Sequence, residues 1–243
     1  MSVSAIVVFI AIAAVAFLYS SVGHAGASGY IAVMTLFGFA AASIRPTALL
    51  LNIFVAILGA IQFWRAGHFR WSLFWPFALL AVPASFLGGS LRLPAHVLEL
   101  LLASVLLFSA FRLILRKGDP PEVKAPPVAT ALAVGAGVGF LSGITGTGGG
   151  IFLTPLLLFC RWATTRTTAA VSVTFILVNS IAGLAGYVWS RQSFPPFAWV
   201  LAIAAVLGGG VGSYLGSRRL PVRTIYLFLA AVLTIAGLKL LFA

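Results

Sequence analysis

From Ser4 to Ala243 the chain is a succession of apolar runs, most of them near the length that crosses a bilayer. A spanning helix needs about 20 apolar residues, and the loops between these runs leave no room for an aqueous domain. Of the 243 residues, 62% are hydrophobic and 7% are charged, against roughly 25% charged in soluble domains. The first run, Ser4–Val22, has no basic leader and is followed at once by further spans. It reads as a first membrane helix and not as a cleaved signal peptide. The expected fold is an all-α polytopic membrane protein.

The charged residues exclude several functions. Glu99, Asp119 and Glu122 are the only acids, and 15 Lys and Arg bring the net charge to +12. The cations stand singly between apolar runs, as in the cytoplasmic loops of membrane proteins. A nucleic-acid surface needs them clustered, so no nucleic-acid partner is expected. Cys160 is alone, which removes disulfides and thiolate clusters, and no metal or cofactor is expected. An intramembrane hydrolase needs a nucleophile with a base. Ser21 and His24 are the one candidate couple and lack a third member, so the chain is not expected to be an enzyme.

Cutting at charges, prolines and glycine clusters gives five segments in each half. The first set is 4–22, 27–42, 47–64, 71–89 and 95–115. The second is 128–145, 151–161, 167–189, 197–216 and 222–243. A polar linker, 116–127, with Asp119-Pro120-Pro121-Glu122, lies between them. The halves are copies. Gly89-Ser90-x-Arg92-Leu93-Pro94 returns as Gly216-Ser217-x-Arg219-Leu220-Pro221, 127 residues on, and Gly23 and Gly26 return as Gly146 and Gly149, 123 residues on. The domains are thus 1–115, the linker 116–127, and 128–243.

Charge counting selects a topology. If the first two segments of each half enter and return, 11 of the 15 cations fall on one side, and Arg45, Arg92, Arg191 and Lys239 on the other. If they form a single crossing, the split is 7 to 8. The cytoplasmic side carries the excess, so the first arrangement is favoured. Each half then crosses an odd number of times, and the two are inverted, with the linker cytoplasmic and both termini outside. Parity does not separate two full passes from a re-entrant pair, although segment 151–161 is short for a crossing.

The glycine breaks carry the chemistry. Irregular backbone at membrane depth survives only inside protein or beside water. Gly146-Thr147-Gly148-Gly149-Gly150 is such a break, and a helix starting after it presents free N–H groups to an anion. Thr145 and Thr147 add hydroxyls. The matching break is Gly23-His24-Ala25-Gly26-Ala27-Ser28-Gly29, where His24 is the odd residue and Ser28 a further donor. Asn52 and Asn179 lie at similar depth in the two halves. Helix–helix packing and hydrogen-bond glue are the plain alternatives for these residues, and packing is the expected role of Gly88, Gly89 and Gly208–Gly210. Arg45 and Arg166 are expected as interface anchors.

Gly146-x-Gly148-Gly149-Gly150-x-x-x-x-Pro155, set after an apolar helix in a small duplicated membrane protein, resembles the sulfite exporter TauE/SafE family. The resemblance implies a transporter or exporter of small sulfur-containing anions such as sulfite or sulfonates, placed in a bacterial inner membrane. The substrate-binding set would be Gly23, His24, Gly26, Ser28, Asn52, Thr145, Gly146, Thr147, Gly148, Gly149, Gly150 and Asn179. The first half departs from the motif at Ala25, Ala27 and Ala32. Partners are a small anion and the lipid bilayer, and a homodimer is compatible with the sequence. A non-transporting membrane partner protein, or uptake in place of export, is the alternative.

Overall fold

The computed structural model describes residues 3–91, 122–190 and 195–221, with single positions between 107 and 119 and between 223 and 238. The segments expected at 95–115 and 222–243 fall largely outside the described residues, as do Glu99 and His96. Eight helices stand in the described part: α1 Val3–Ser20, α2 Ala27–Leu36, α3 Ala41–Arg65, α4 Trp71–Ser90, α5 Val128–Thr145, α6 Gly150–Phe159, α7 Thr165–Trp189 and α8 Ala198–Arg218. No strand is present among the described residues. α3, α4, α5, α7 and α8 are each long and apolar enough to cross a membrane.

The helices α2 and α6 have ten residues each. At 1.5 Å per residue that is about 15 Å, half a hydrocarbon core. Each half therefore begins with a longer helix, a glycine break and a half-length helix. Pro155 does not end α6, which runs on to Phe159. α3 starts at Ala41, six residues before the expected Thr47, and carries Pro46 inside it.

α3 and α7 are the most buried spans and pack on each other. α4 leans on α7, and α8 on α3. The outer contacts cross the linker: α4 packs on α5, and α1 on α8. Both use a stripe of small residues that brings backbones together. A Cβ on Gly135, Gly139 or Gly143 would meet the carbonyl oxygen of Phe77, Ala81 or Ser85 at 2.1–2.3 Å. A Cβ on Gly208, Gly212 or Gly216 would meet that of Ala13, Phe17 or Ser21 at 1.9–2.2 Å. Gly88 and Gly89 press likewise on Phe140 and Gly183, and Gly209 on Val55, which is the packing role expected of them.

The two ends of the bundle differ in charge. At one end Arg45 donates to the carbonyls of Gly88, Gly89 and Leu91, where α4 stops, and to that of Gly143 in the last turn of α5. At the other end His68 meets the Ser217 carbonyl at 3.1 Å, Arg166 donates to that of Leu220 at 3.3 Å, and the Lys124 N–H donates to Arg161 at 2.9 Å. Asp119 accepts from the Thr165 N–H (2.7 Å) and hydroxyl (2.5 Å), capping α7. Among the described residues eight cations, Arg65, Arg70, Lys124, Arg161, Arg166, Arg218, Arg219 and Arg223, stand at this second end, and Arg45 stands at the first. Both Arg45 and Arg166 place positive charge where helix dipoles end negative. Burial, and secondarily Arg166, hold the imidazole of His68 below its ordinary range despite its bond to Ser217.

Candidate functional site

The two breaks share one backbone geometry. Gly23 (φ 78°) corresponds to Gly146 (φ 73°), and Gly26 (φ 109°) to Gly149 (φ 80°), all in the left-handed region open to glycine. Gly26 and Gly149 are the N-caps of α2 and α6. The N–H groups of Ala25, Gly26, Ala27 and Ser28, and of Gly148, Gly149, Gly150 and Ile151, have no backbone acceptor among the described residues. Each break therefore opens a helix with a set of free donors at its positive end. α2 leads away toward Phe39, which stacks on Phe197 at 5.0 Å. α6 leads toward Arg161 at the basic end. The half-helices run in opposite senses.

Three tight contacts fix the second break. A Cβ on Gly148 would stand 2.8 Å from Asn52 Nδ2 and 2.9 Å from Ser180 Oγ. The Asn52 amide donates to the Thr147 carbonyl and to Ser180 Oγ, both at 3.3 Å. Gly146 lies against the Arg45 side chain. Thr145 donates to Leu141 in its own helix at 2.8 Å and is 2.9 Å from the Thr147 hydroxyl. Asn179 donates to Phe175 of its own helix, while its carbonyl accepts from Ser85. Asn52 and Asn179 are 127 residues apart, the offset of the repeated Gly-Ser-x-Arg-Leu-Pro string.

The first break meets the second half elsewhere. Gly23 packs on Ala169 of α7. His24 Nε2 lies 3.3 Å from Thr154 Oγ1 of α6, and Thr154 donates to Ser172 Oγ of α7 at 2.7 Å. All three side chains are buried. Ser28 turns aside and donates to the Tyr19 hydroxyl at 3.0 Å. The two breaks are thus not in direct register. Gly23 touches α7 at Ala169 and Gly148 touches it at Ile176, seven residues further, or about 10 Å. His24, Thr154 and Ser172 fill the interval.

Thr154, Ser172, Ser180 and Ser142 are the polar residues that the glycine motifs did not single out as a set. Several atoms around the breaks are buried with no partner: His24 Nδ1, Ser142 Oγ, Thr168 Oγ1, and the Oδ1 atoms of Asn52 and Asn179. Leaving such a group unsatisfied costs about 1–3 kcal/mol, so this many in one region marks a site that a polar ligand or water would complete. Among the described residues the acids Asp119 and Glu122 belong to the linker, and Asp119 reaches Thr165, one turn of α7 before the Ala169 that Gly23 meets.

The family model described as "Sulfite exporter TauE/SafE" matches residues 8–240. The chain belongs to this family. It is 44% identical to "Probable membrane transporter protein y4hK" of Sinorhizobium fredii, over 99% of this chain and all of that protein. It is 28% identical to a "Probable membrane transporter protein" of Xylella fastidiosa, over 63% of this chain and 61% of the other. No solved structure matches it. As a TauE/SafE protein with five spanning-length helices, the chain is a multi-pass membrane protein, a transporter and not an enzyme.

Proposed function

We propose that this TauE/SafE protein carries a small anion, of the sulfur-oxyanion class, outward across the bacterial inner membrane. One observation carries the reading: two half-helices begin at glycine breaks with unpaired N–H groups, beside buried hydroxyls and a histidine, and neither break carries a carboxylate. Helix N-termini favour an anion by up to about 2 kcal/mol in partly buried sites, and the breaks offer a cation no carboxylate. The family description names sulfite, which supports the same class. The anion rests on the N–H groups of Gly148–Gly150 with the Thr147 hydroxyl. It arrives there along α7 from the cradle at His24, which lies nearer the cytoplasmic linker.

The two cradles belong to inverted repeats, 1–115 and 128–243, joined by a cytoplasmic linker. Support comes from the exchanged packing of α4 on α5 and α1 on α8, from the opposite senses of α2 and α6, and from the charge difference between the ends. The inverted-repeat design of many transporters puts the substrate where broken helices meet. Potential drives export, at about 2.3 kcal/mol per charge per 100 mV.

The test is flux of sulfite, sulfonates and carboxylates from proteoliposomes carrying the folded protein. Sulfur oxyanions should move, and Gly149→Val should stop them, since the branched side chain meets Phe175 and Ser142 and disfavours positive φ. His24→Ala should slow flux less. Parental transport by Gly149→Val would reduce the glycine run to a packing device.

A further inference from the structure

A second concavity lies outside this site, at the basic end. It encloses about 330 Å³ between the start of α4, the end of the linker and the turn after α6. Ligand pockets begin near this size. Its walls are Leu73, Trp75, Pro126, Val128 and Trp162, and Arg70 and Ser72 supply its polar side. Lys124 sits between two lining residues, and its N–H is bonded to Arg161, the neighbour of Trp162.

Two features identify an occupant. The first is charge. Arg70 lines the pocket, and Lys124 and Arg161 are chain neighbours of lining residues; none of the three has a side-chain partner among the described residues. Glu122 and Asp119, the latter bonded to Thr165 at the start of α7, are the described acids beside them. The local balance is three cations to two acids. The second is an apolar track. Trp75 faces both the pocket and the outside, and with Trp71 and Leu79 it makes a stripe along α4 at 63%, 38% and 58% exposure for Trp71, Trp75 and Leu79. The residues recur every four positions, so they share one helix face. Tryptophan at a span terminus belongs at headgroup level. A pocket with a cationic rim that opens onto an apolar stripe matches a molecule with an anionic head and a hydrocarbon tail.

We propose that this pocket binds one anionic phospholipid of the inner leaflet, its phosphate held by Arg70 and Lys124 and its acyl chain laid along Trp71, Trp75 and Leu79. Basic pockets on the cytoplasmic side of membrane proteins bind anionic headgroups by the same chemistry. The site is separate from the glycine breaks and does not depend on what they carry.

The experiment is native mass spectrometry of the full-length protein in detergent, titrated with phosphatidylglycerol, phosphatidylcholine or inorganic phosphate. One phosphatidylglycerol should be retained per chain, at least fivefold more tightly than phosphatidylcholine. Arg70→Gln with Lys124→Gln should remove that preference, and Leu79→Asn should weaken both lipids. Arg218→Gln, at the same end but outside the pocket, should leave binding unchanged. Thermal unfolding of each variant without lipid checks that it folds. Equal retention of the two lipids, or an undiminished preference in the double variant, would overturn the proposal. Phosphate that displaces the lipid equally well would show a free-anion site in its place.

Discussion

Gly148→Ala isolates what the second break requires. Residue 148 has φ 78°, where an L side chain costs about 1–2 kcal/mol. Its Cβ would also lie 2.7 Å from Ile176 Cγ2, 2.8 Å from Asn52 Nδ2 and 2.9 Å from Ser180 Oγ. Asn52 has to retreat, and its bonds to Thr147 and Ser180 go with it. A buried amide left without partners costs a further 1–3 kcal/mol or so, for a total of about 2–5 kcal/mol. Gly38→Ala is the control, with φ 71° and nothing within 4 Å of the new atom. It carries only the backbone term, about 1–2 kcal/mol. Thermal unfolding in one detergent should rank parent, Gly38→Ala and Gly148→Ala in falling order, and flux should fall only in Gly148→Ala. If the two variants unfold together and transport alike, the break does not depend on its approach to Asn52 and Ser180, and the cradle geometry is wrong.

Three further outcomes are expected. Gly212→Ala drives a methyl to within 2.2 Å of the Phe17 carbonyl and should lower the unfolding temperature, whereas Gly137→Ala, which meets nothing, should raise stability by up to about 1 kcal/mol through helix propensity. Arg45→Gln removes a charged donor from the Gly88, Gly89, Leu91 and Gly143 carbonyls and should cost about 3 kcal/mol, read as earlier unfolding with faster proteolysis near residue 91. Asp119→Ala strips the cap from Thr165 and should cost about 1–2 kcal/mol, seen as increased amide exchange confined to the first turn of α7.

The long spans were legible where strong punctuation bounds them. α5 occupies Val128–Thr145 as expected, between a proline pair and the glycine run, and α4 differs by one residue at its end. The breaks were legible because consecutive glycines fit helix interiors poorly. The start of α3 was not. Arg45-Pro46 looks like a loop, but Pro46 stands sixth in α3 and the helix runs through it, forgoing the one intrahelical bond that proline cannot donate. Arg45 instead finds its acceptors on α4 and α5, beyond the reach of local pattern. The hydroxyl cluster was hidden for a related reason. Thr154 and Ser172 are single polar residues on apolar helices, and His24 lies 130 positions from Thr154. The packing of α6 on α7, with Gly23 set against Ala169, brings them into one place.

The glycine stripe of α8 also bears on how the chain is made. Each contact it forms with α1, at Ala13, Phe17 and Ser21, joins residues 195 positions apart. The face of α4 at Phe77, Ala81 and Ser85 waits only 58 positions for the glycine stripe of α5. During synthesis α1 therefore enters the bilayer long before its partner leaves the ribosome, and must stay inserted with that face uncovered. A nascent chain stalled before residue 208 should hold α4 against α5 while α1 is still open to capture by lipid or an insertion factor. A membrane quality-control protease would find its easiest target in that interval, at the amino-terminal end of a protein whose other end is not yet made.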